Sequence, residues 1–535
     1  MTVLARPARE ALGQARRAPW FLWLLPLVVL TVVLVPLGHL LWRALTASAA
    51  AQQVLLSPRT LHLLANTSLL TAAVTISATA LGIATAWLTV RTDLAGRRIW
   101  ATLCSLPLVI PSFVGGFVLI SALGPRGLLA DLLTPLGIER LPSLAGFTGA
   151  WLALSLFTYP YVHLVVAAAL RSLDPAQEES ARALGASPRR AFRTVVLPQL
   201  RPAATAGGLL VALYTLSDFG AVSLMRFDAF TRVIYAQYQG RLDRTPAAVL
   251  ALLLVLMALA ILWVESRTRG RAAYHSRRPP RPAIPVHLDG RARWAALAFL
   301  AGLVFLALAL PVGVLGFWLV RGVVNGEPLR LVWRAAGGSL GVSLAAGVAA
   351  MVVAAPAAML VVRYRSRASG LLERSFYVVY ALPHITVGLA LVFFAANYLP
   401  VVYQSFFLLA VAYVALFLPQ ATGAGRAALL QVSPHLEEAA RSLGRGPLGT
   451  IATVTAPLMG RGLVAGGALV FLTSMKELPA TLLLRPTGFD TLAVRVWSAA
   501  NDAFFARAAA PALLLLAVSA VPLYLLISRG YAAES

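Results

Sequence analysis

The chain has 535 residues, 59% of them hydrophobic and only 12% charged, against roughly a quarter charged in soluble domains, which excludes an ordinary soluble globule. Its formal charge of +25 comes from arginines gathered beside long apolar runs, which points to anionic lipid rather than nucleic acid as the partner. Cys104 is the single cysteine and Lys476 the single lysine, so neither a disulfide framework nor a GxxxxGK[ST] phosphate loop exists, and HExxH and CxxC are also absent.

Crossing hydrocarbon as a helix takes about 20 apolar residues, because no backbone group can be left unpaired in lipid. Twelve stretches qualify: 20–42, 61–90, 100–123, 144–170, 201–225, 247–265, 294–320, 339–362, 376–396, 403–430, 462–484 and 508–527. Basic residues ahead of the first stretch and Ala47-Ser48-Ala49 after it look like a cleavable signal, but the apolar core is long for one, and the span is read as retained. Arg6, Arg9, Arg16 and Arg17 precede the first span, Arg91, Arg97 and Arg98 follow the second, and Arg363, Arg365 and Arg367 follow the eighth. This bias places both termini in the cytoplasm, together with a linker at 266–293 that contains Arg277-Arg278-Pro279-Pro280-Arg281-Pro282 and is too polar to span. Two six-helix units, 1–265 and 294–535, flank it. The halves repeat each other, as Pro111-x4-Gly116 and Pro383-x4-Gly388 illustrate. An even number of spans per half makes the repeat parallel, with a pseudo-two-fold axis along the membrane normal and a path between the halves.

The strongest repeat is polar. Glu178-Glu179-Ser180-Ala181-Arg182-Ala183-Leu184-Gly185 returns as Glu437-Glu438-Ala439-Ala440-Arg441-Ser442-Leu443-Gly444, and Pro198 returns as Pro457 at the same offset of 259. Asp174-Pro175 and Ser433-Pro434 supply a cap and a first-turn proline, and Gly185 and Gly444 allow a turn, so short amphipathic helices are expected near 174–185 and 433–444. One such helix could simply rest on the membrane, yet lipid contact does not require a glutamate, a glycine and a proline at repeated spacing.

Glu179-Ser180-Ala181-x3-Gly185-x9-Val195-x-Leu197-Pro198, and its second copy through Pro457, resembles the EAA loop of binding-protein-dependent ABC importer permeases. Ser180 and Ala456 are mild departures from that pattern. The resemblance implies an all-α membrane protein of about twelve helices in two type I permease units, without catalysis or a cofactor of its own. It further implies coupling to two copies of a cytosolic ATPase subunit, which carry the ATP-Mg, through Glu179, Ala181, Gly185, Pro198, Glu438, Ala439, Ala440, Gly444 and Pro457. A solute-binding protein outside a bacterial inner membrane is the other implied partner. ATP-driven closure would draw Glu179 and Glu438 together and tilt the helices above them. The segments 106–116, 217–224 and 476–481 are similar to fused ferric-iron permeases, while thiamine and polyamine permeases share the fold. An ion-gradient-driven secondary transporter also fits two six-helix halves. A membrane enzyme lacks any recognisable nucleophile or metal box.

Asp218 and Glu477 align at the same offset inside the fifth and eleventh spans, with Lys476 beside Glu477. They are candidates for the translocation path or gate, or else form a polar clamp between helices. Two carboxylates suit the passage of a hard cation but are too few to hold one. Arg226 and Asp228 align with Arg485 and Asp490 in external loops, where Arg232, Arg241, Arg244, Arg495 and Arg507 add positive charge, suiting an acidic docking partner or local ion pairs. No metal is assigned to the scattered His163, His384 and His435.

Overall fold

The computed structural model describes residues 18–46, 53–55, 57–240, 244–268, 285–328 and 330–532. Arg6, Arg9, Arg16, Arg17, Ala47-Ser48-Ala49, Arg241 and the linker run at 277–282 lie outside the described residues. In the first repeat the helices are α1 (Phe21–Leu45), α2 (Pro58–Val90), α3 (Arg97–Ser105), α4 (Ser112–Leu123), α5 (Phe147–Ser172), α6 (Ala176–Ala183), α7 (Leu197–Ser217), α8 (Gly220–Leu224), α9 (Phe230–Gly240) and α10 (Thr245–Thr268). The chain continues through α11 (Gly290–Val304), α12 (Leu310–Val324), α13 (Arg330–Val362), α14 (Arg367–Ala381), α15 (His384–Tyr398), α16 (Phe406–Gln431), α17 (Pro434–Ser442), α18 (Ala456–Met475), α19 (Pro479–Leu484), α20 (Leu492–Asn501) and α21 (Phe505–Ala532). Among the described residues no strand forms, only an isolated parallel bridge between Thr92 and Val286.

Ten helical stretches among the described residues are long and apolar enough to cross a membrane, or eleven if a bent pair counts as one span, and Phe505–Ala520 is a shorter apolar helix. Of the twelve expected spans, the ninth is the bent pair and the twelfth the shorter helix, while the third, fifth and eleventh are interrupted. The stretch 100–123 divides into α3 and α4 around Pro107 and Pro111, and 376–396 divides into α14 and α15, which meet at 102° across Leu382-Pro383. Proline removes a backbone donor and holds the residue before it extended, as Ile110 (ψ 114°) and Leu382 (ψ 144°) are. The stretch 201–225 is corrected as well: the helix runs from Phe192 to Ser217, stops at Asp218 and restarts as α8. Likewise 462–484 starts earlier, stops at Lys476 and restarts as α19.

The chain forms two compact units, Thr46–Trp333 with Leu492–Ser535, and Met1–Leu45 with Arg334–Thr491. These differ from the contiguous units 1–265 and 294–535 expected from the sequence. Polar groups on otherwise apolar helices account for the exchange, because such groups seek partners rather than lipid. On α1, the His39 ring meets the edge of Phe394 at 6.0 Å and of Tyr398 at 5.2 Å, and the Arg43 guanidinium lies 4.5 Å over Phe393, all three rings on α15. On α12, Trp318 Nε1 donates to Ser121 Oγ of α4 at 3.1 Å, and Phe505 of α21 stacks on Phe117.

Small residues let the long helices approach to backbone distance, the packing device of apolar bundles. A Cβ on Gly82 of α2 would lie 2.5 Å from Val162 Cβ and 2.9 Å from the His163 backbone nitrogen of α5, and one on Gly207 of α7 would lie 3.0 Å from Val162 Cα. In the other unit Gly466 of α18 abuts Ala421 of α16 in the same manner. Gly82→Ala is therefore expected to force α2 from α5 and destabilise by about 1–3 kcal/mol, whereas Gly341→Ala, whose methyl meets nothing within 4 Å, is expected to be neutral. Thermal unfolding of the two variants in detergent measures the contrast.

Candidate functional site

The repeated polar segments fold as α6 and α17, and their termini follow local chemistry. Ser433 Oγ accepts the His435 N–H at 3.4 Å, with Pro434 in the first turn. In the first copy Pro175 itself takes the cap position and the Asp174 carboxylate accepts the Ala176 N–H at 3.0 Å, so the helix begins slightly later than expected. Both ends turn alike: Gly185 (φ 87°) and Gly444 (φ 82°) are left-handed, and the next residues, Ala186 and Arg445, donate back to Ala181 O and Ala440 O at 3.1 Å. A widened turn follows in each copy, Phe192–Val196 and Ile451–Thr455, closed by Leu197 N–H to Phe192 O and Ala456 N–H to Ile451 O. Pro198 and Pro457 come next, where a regular turn would set the ring against the carbonyl four residues earlier.

The two glutamates of each copy have opposite surroundings. Glu179 and Glu438 are exposed, and His435 Nδ1 lies 3.2 Å from Glu438. Glu178 and Glu437 are buried. Glu178 is ion-paired with Arg91, which follows the last residue of α2 and is itself buried. Glu437 accepts from Arg363 Nε at 3.0 Å, just past the end of α13, with Arg441 Nη2 at 3.7 Å on its other oxygen. Arg363 Nη2 also donates to Val432 O at 2.7 Å. The Arg91 carbonyl accepts the Val286 N–H at 2.7 Å, and the Asp93 carboxylate accepts the Leu288 N–H at 3.1 Å and faces His287 Nδ1 at 2.5 Å. Leu288 first, and His287 after it, hold the Asp93 carboxyl below its usual value.

Asp218 and Glu477 cap the helices that restart after the breaks. Asp218 Oδ1 accepts Ala221 N–H at 2.9 Å and Val222 N–H at 3.3 Å, and Oδ2 accepts the hydroxyl of Ser112, the first residue of α4. Glu477 Oε1 accepts Ala480 N–H at 2.9 Å, and Oε2 faces His384 Nδ1 at 2.7 Å, the first residue of α15. Each break is also tied through its backbone carbonyl, Asp218 O to Thr231 Oγ1 at 2.6 Å and Glu477 O to Thr481 Oγ1 at 2.8 Å. Lys476 is the residue at which α18 ends. Each acid thus links the start of a restarted helix to the first residue of α4 or α15.

Two of the loop arginines pair with nearby aspartates. Asp228 is ion-paired with Arg232 and Arg485 with Asp490, while Arg226 is exposed with a left-handed φ of 52°. Arg485 Nη1 also donates to Phe489 O at 3.1 Å, and Arg507 Nε is shared between the two carboxylate oxygens of Glu327 at 3.0 and 2.9 Å. Among the described residues no three His, Cys, Asp or Glu side chains converge as a metal site. Glu178, Arg91, Glu437, Arg363, Ser112 and His384 are absent from the site expected from sequence. A second repeat offset of 272, shared by Arg91 with Arg363, Ser112 with His384 and Pro111 with Pro383, is the signal that points to them.

Residues 78–267 and 346–533 both match the family described as binding-protein-dependent transport system inner membrane component. The chain belongs to this family. It is an ABC transporter permease with two repeats in one chain, as the doubled motif leads one to expect. The Fe(3+)-transport system permease protein FbpB 2 of Haemophilus influenzae is 34% identical over 516 residues, covering 96% of this permease and 98% of the relative. The molybdenum transport system permease protein ModB of Escherichia coli is 31% identical over 207 residues, 36% of this chain and 87% of its own. The sulfate transport system permease protein CysT of Salmonella typhimurium is 29% identical over 204 residues, 36% of this chain and 72% of its own.

Asp218→Ala orphans two buried N–H groups and the Ser112 hydroxyl, and is expected to destabilise the permease by about 1–3 kcal/mol. Asp218→Asn keeps an acceptor oxygen and is expected to lose less. Thermal unfolding measured beside transport tests this, since an Asn variant that folds normally yet fails to transport would show that the charge itself is used.

Proposed function

We propose that this chain is the membrane-spanning subunit of an ATP-driven importer of ferric iron, with α6 and α17 each docking on one copy of a cytosolic ATPase subunit. In this reading the arginine-rich helix ends and both termini face the cytoplasm, and a solute-binding protein delivers cargo from the opposite side. One observation carries the docking role: each polar helix holds its first glutamate inward and presents the second outward together with a leucine that no neighbour covers, Leu184 being 88% and Leu443 84% exposed. A large exposed apolar side chain at the end of a short helix that also exposes a carboxylate suits a protein groove with an apolar floor and a basic wall. ATP and Mg are bound by the partner subunits, and this chain contributes mechanical coupling.

Ferric iron is favoured as cargo because the relative with iron in its name aligns across both repeats, while the molybdenum and sulfate permeases align over about a third of the chain. Asp218, Lys476 and Glu477 act in this reading as the jointed gate through which cargo passes. Arg226, Asp228, Arg485 and Asp490 belong to the loops that meet the binding protein.

Glu179→Arg combined with Glu438→Arg is expected to abolish ATP-dependent uptake and recovery of the ATPase on purification, while the chain still inserts and folds. Cells expressing the complete transporter are expected to accumulate labelled ferric iron, and not molybdate, sulfate, thiamine or a polyamine, only when ATP is supplied. Uptake driven by an ion gradient without ATPase subunits would overturn the reading.

A further inference from the structure

A helix of eight or nine residues has little stability of its own and moves with whatever holds it. In α6 the one buried side chain is Glu178, and in α17 the buried side chains are Glu437 and Ala440. Each buried glutamate is ion-paired with an arginine at the end of a 33-residue helix, α2 or α13. The far end of α2 is fastened too: Asn66 Nδ2 donates to Asp228 O at 3.3 Å and Thr67 Oγ1 accepts the Phe230 N–H at 3.2 Å, in the loop that follows the break at Asp218. At the corresponding end of α13, Gly338 sits so close to Asp490 O that a Cβ would lie 2.4 Å from it, in the loop after the break at Glu477. Each long helix therefore joins a polar helix at one end to a post-break loop at the other.

We propose that Arg91 and Arg363 are positioning residues that make α2 and α13 push-rods, carrying the displacement of each polar helix along the span to the loop beyond the break. The proposal rests on the docking role given to α6 and α17 above. An ion pair suits this use because separating buried charges is strongly unfavourable, so the joint transmits both push and pull. The two joints are built differently. Arg91 reaches its glutamate through Nη2, its Nε and Nη1 make no hydrogen bond among the described residues, and its guanidinium lies 5.9 Å over the Trp87 ring. Arg363 uses Nε for Glu437 and Nη2 for the Val432 carbonyl. A lysine ammonium, a single compact donor group without the guanidinium fork, can replace the first arrangement and not the second.

The test uses full-length permease co-expressed with its ATPase and binding protein, reading ATPase recovery on purification, ATP hydrolysis and labelled iron uptake. Arg91→Ala and Arg363→Ala are expected to keep the ATPase bound and hydrolysing while uptake per ATP falls about tenfold. Arg91→Lys is expected to restore most of that uptake and Arg363→Lys clearly less. Where an alanine variant fails to fold, the lysine pair alone decides. Undiminished uptake per ATP, ATPase recovery lost together with uptake, or equal behaviour of the two lysine variants would overturn the proposal. Glu179→Arg with Glu438→Arg separates it from its premise: if that variant keeps ATPase and uptake the docking reading fails, and if it loses both while the arginine variants behave as wild type only the push-rods fail.

Discussion

A helix that restarts after a break among apolar surroundings exposes N–H groups that lipid cannot accept, so it can begin only where something else accepts them. Asp218 and Glu477 meet that need, each taking up the first N–H groups of a short helix. A carboxylate in such a place would be prohibitive alone. It is tolerated because every oxygen has a donor, with Ser112 and His384 completing the sets from the starts of α4 and α15. The breaks in the third and fifth spans of each repeat are thus a single construction, with one break caused by proline and the other capped by an acid, joined across the helices.

A second kind of buried carboxylate works at the other end of the long helices. Glu178 and Glu437 fasten short polar helices to α2 and α13, and the widened turns ahead of Pro198 and Pro457 let the chain re-enter the membrane. Glu179 and Glu438, next to them in sequence, stay exposed. Neighbouring glutamates with identical chemistry thus divide into a structural and an outward-facing set, and helical geometry alone separates them, since adjacent residues point about 100° apart.

Much of this is legible in the sequence, and the rest fails for definable reasons. The doubled motif stands out because polar residues at fixed spacing are rare against an apolar background, and Gly185 and Gly444 do take the left-handed turn their positions suggest. The breaks are hidden because apolarity continues straight through Leu106 to Pro111 and through Leu382-Pro383, where hydropathy counts side chains and is blind to backbone direction. The arginine partners are hidden by an insertion: at the offset of 259 that aligns the glutamates, Arg363 falls on Cys104, and only the offset of 272 brings it to Arg91. The exchange of α1 into the unit of the second repeat depends on His39 and Arg43 finding rings on α15, a pairing that no periodicity encodes.

The repeats also differ at one telling position, since a serine hydroxyl completes the acid at one break and a histidine imidazole completes it at the other. A transporter assembled from two identical permease chains would have to carry the same joint twice. Covalent fusion fixes one of each kind in every molecule, so the difference between the two joints becomes an inherited property of the polypeptide and needs no sorting of subunits during assembly.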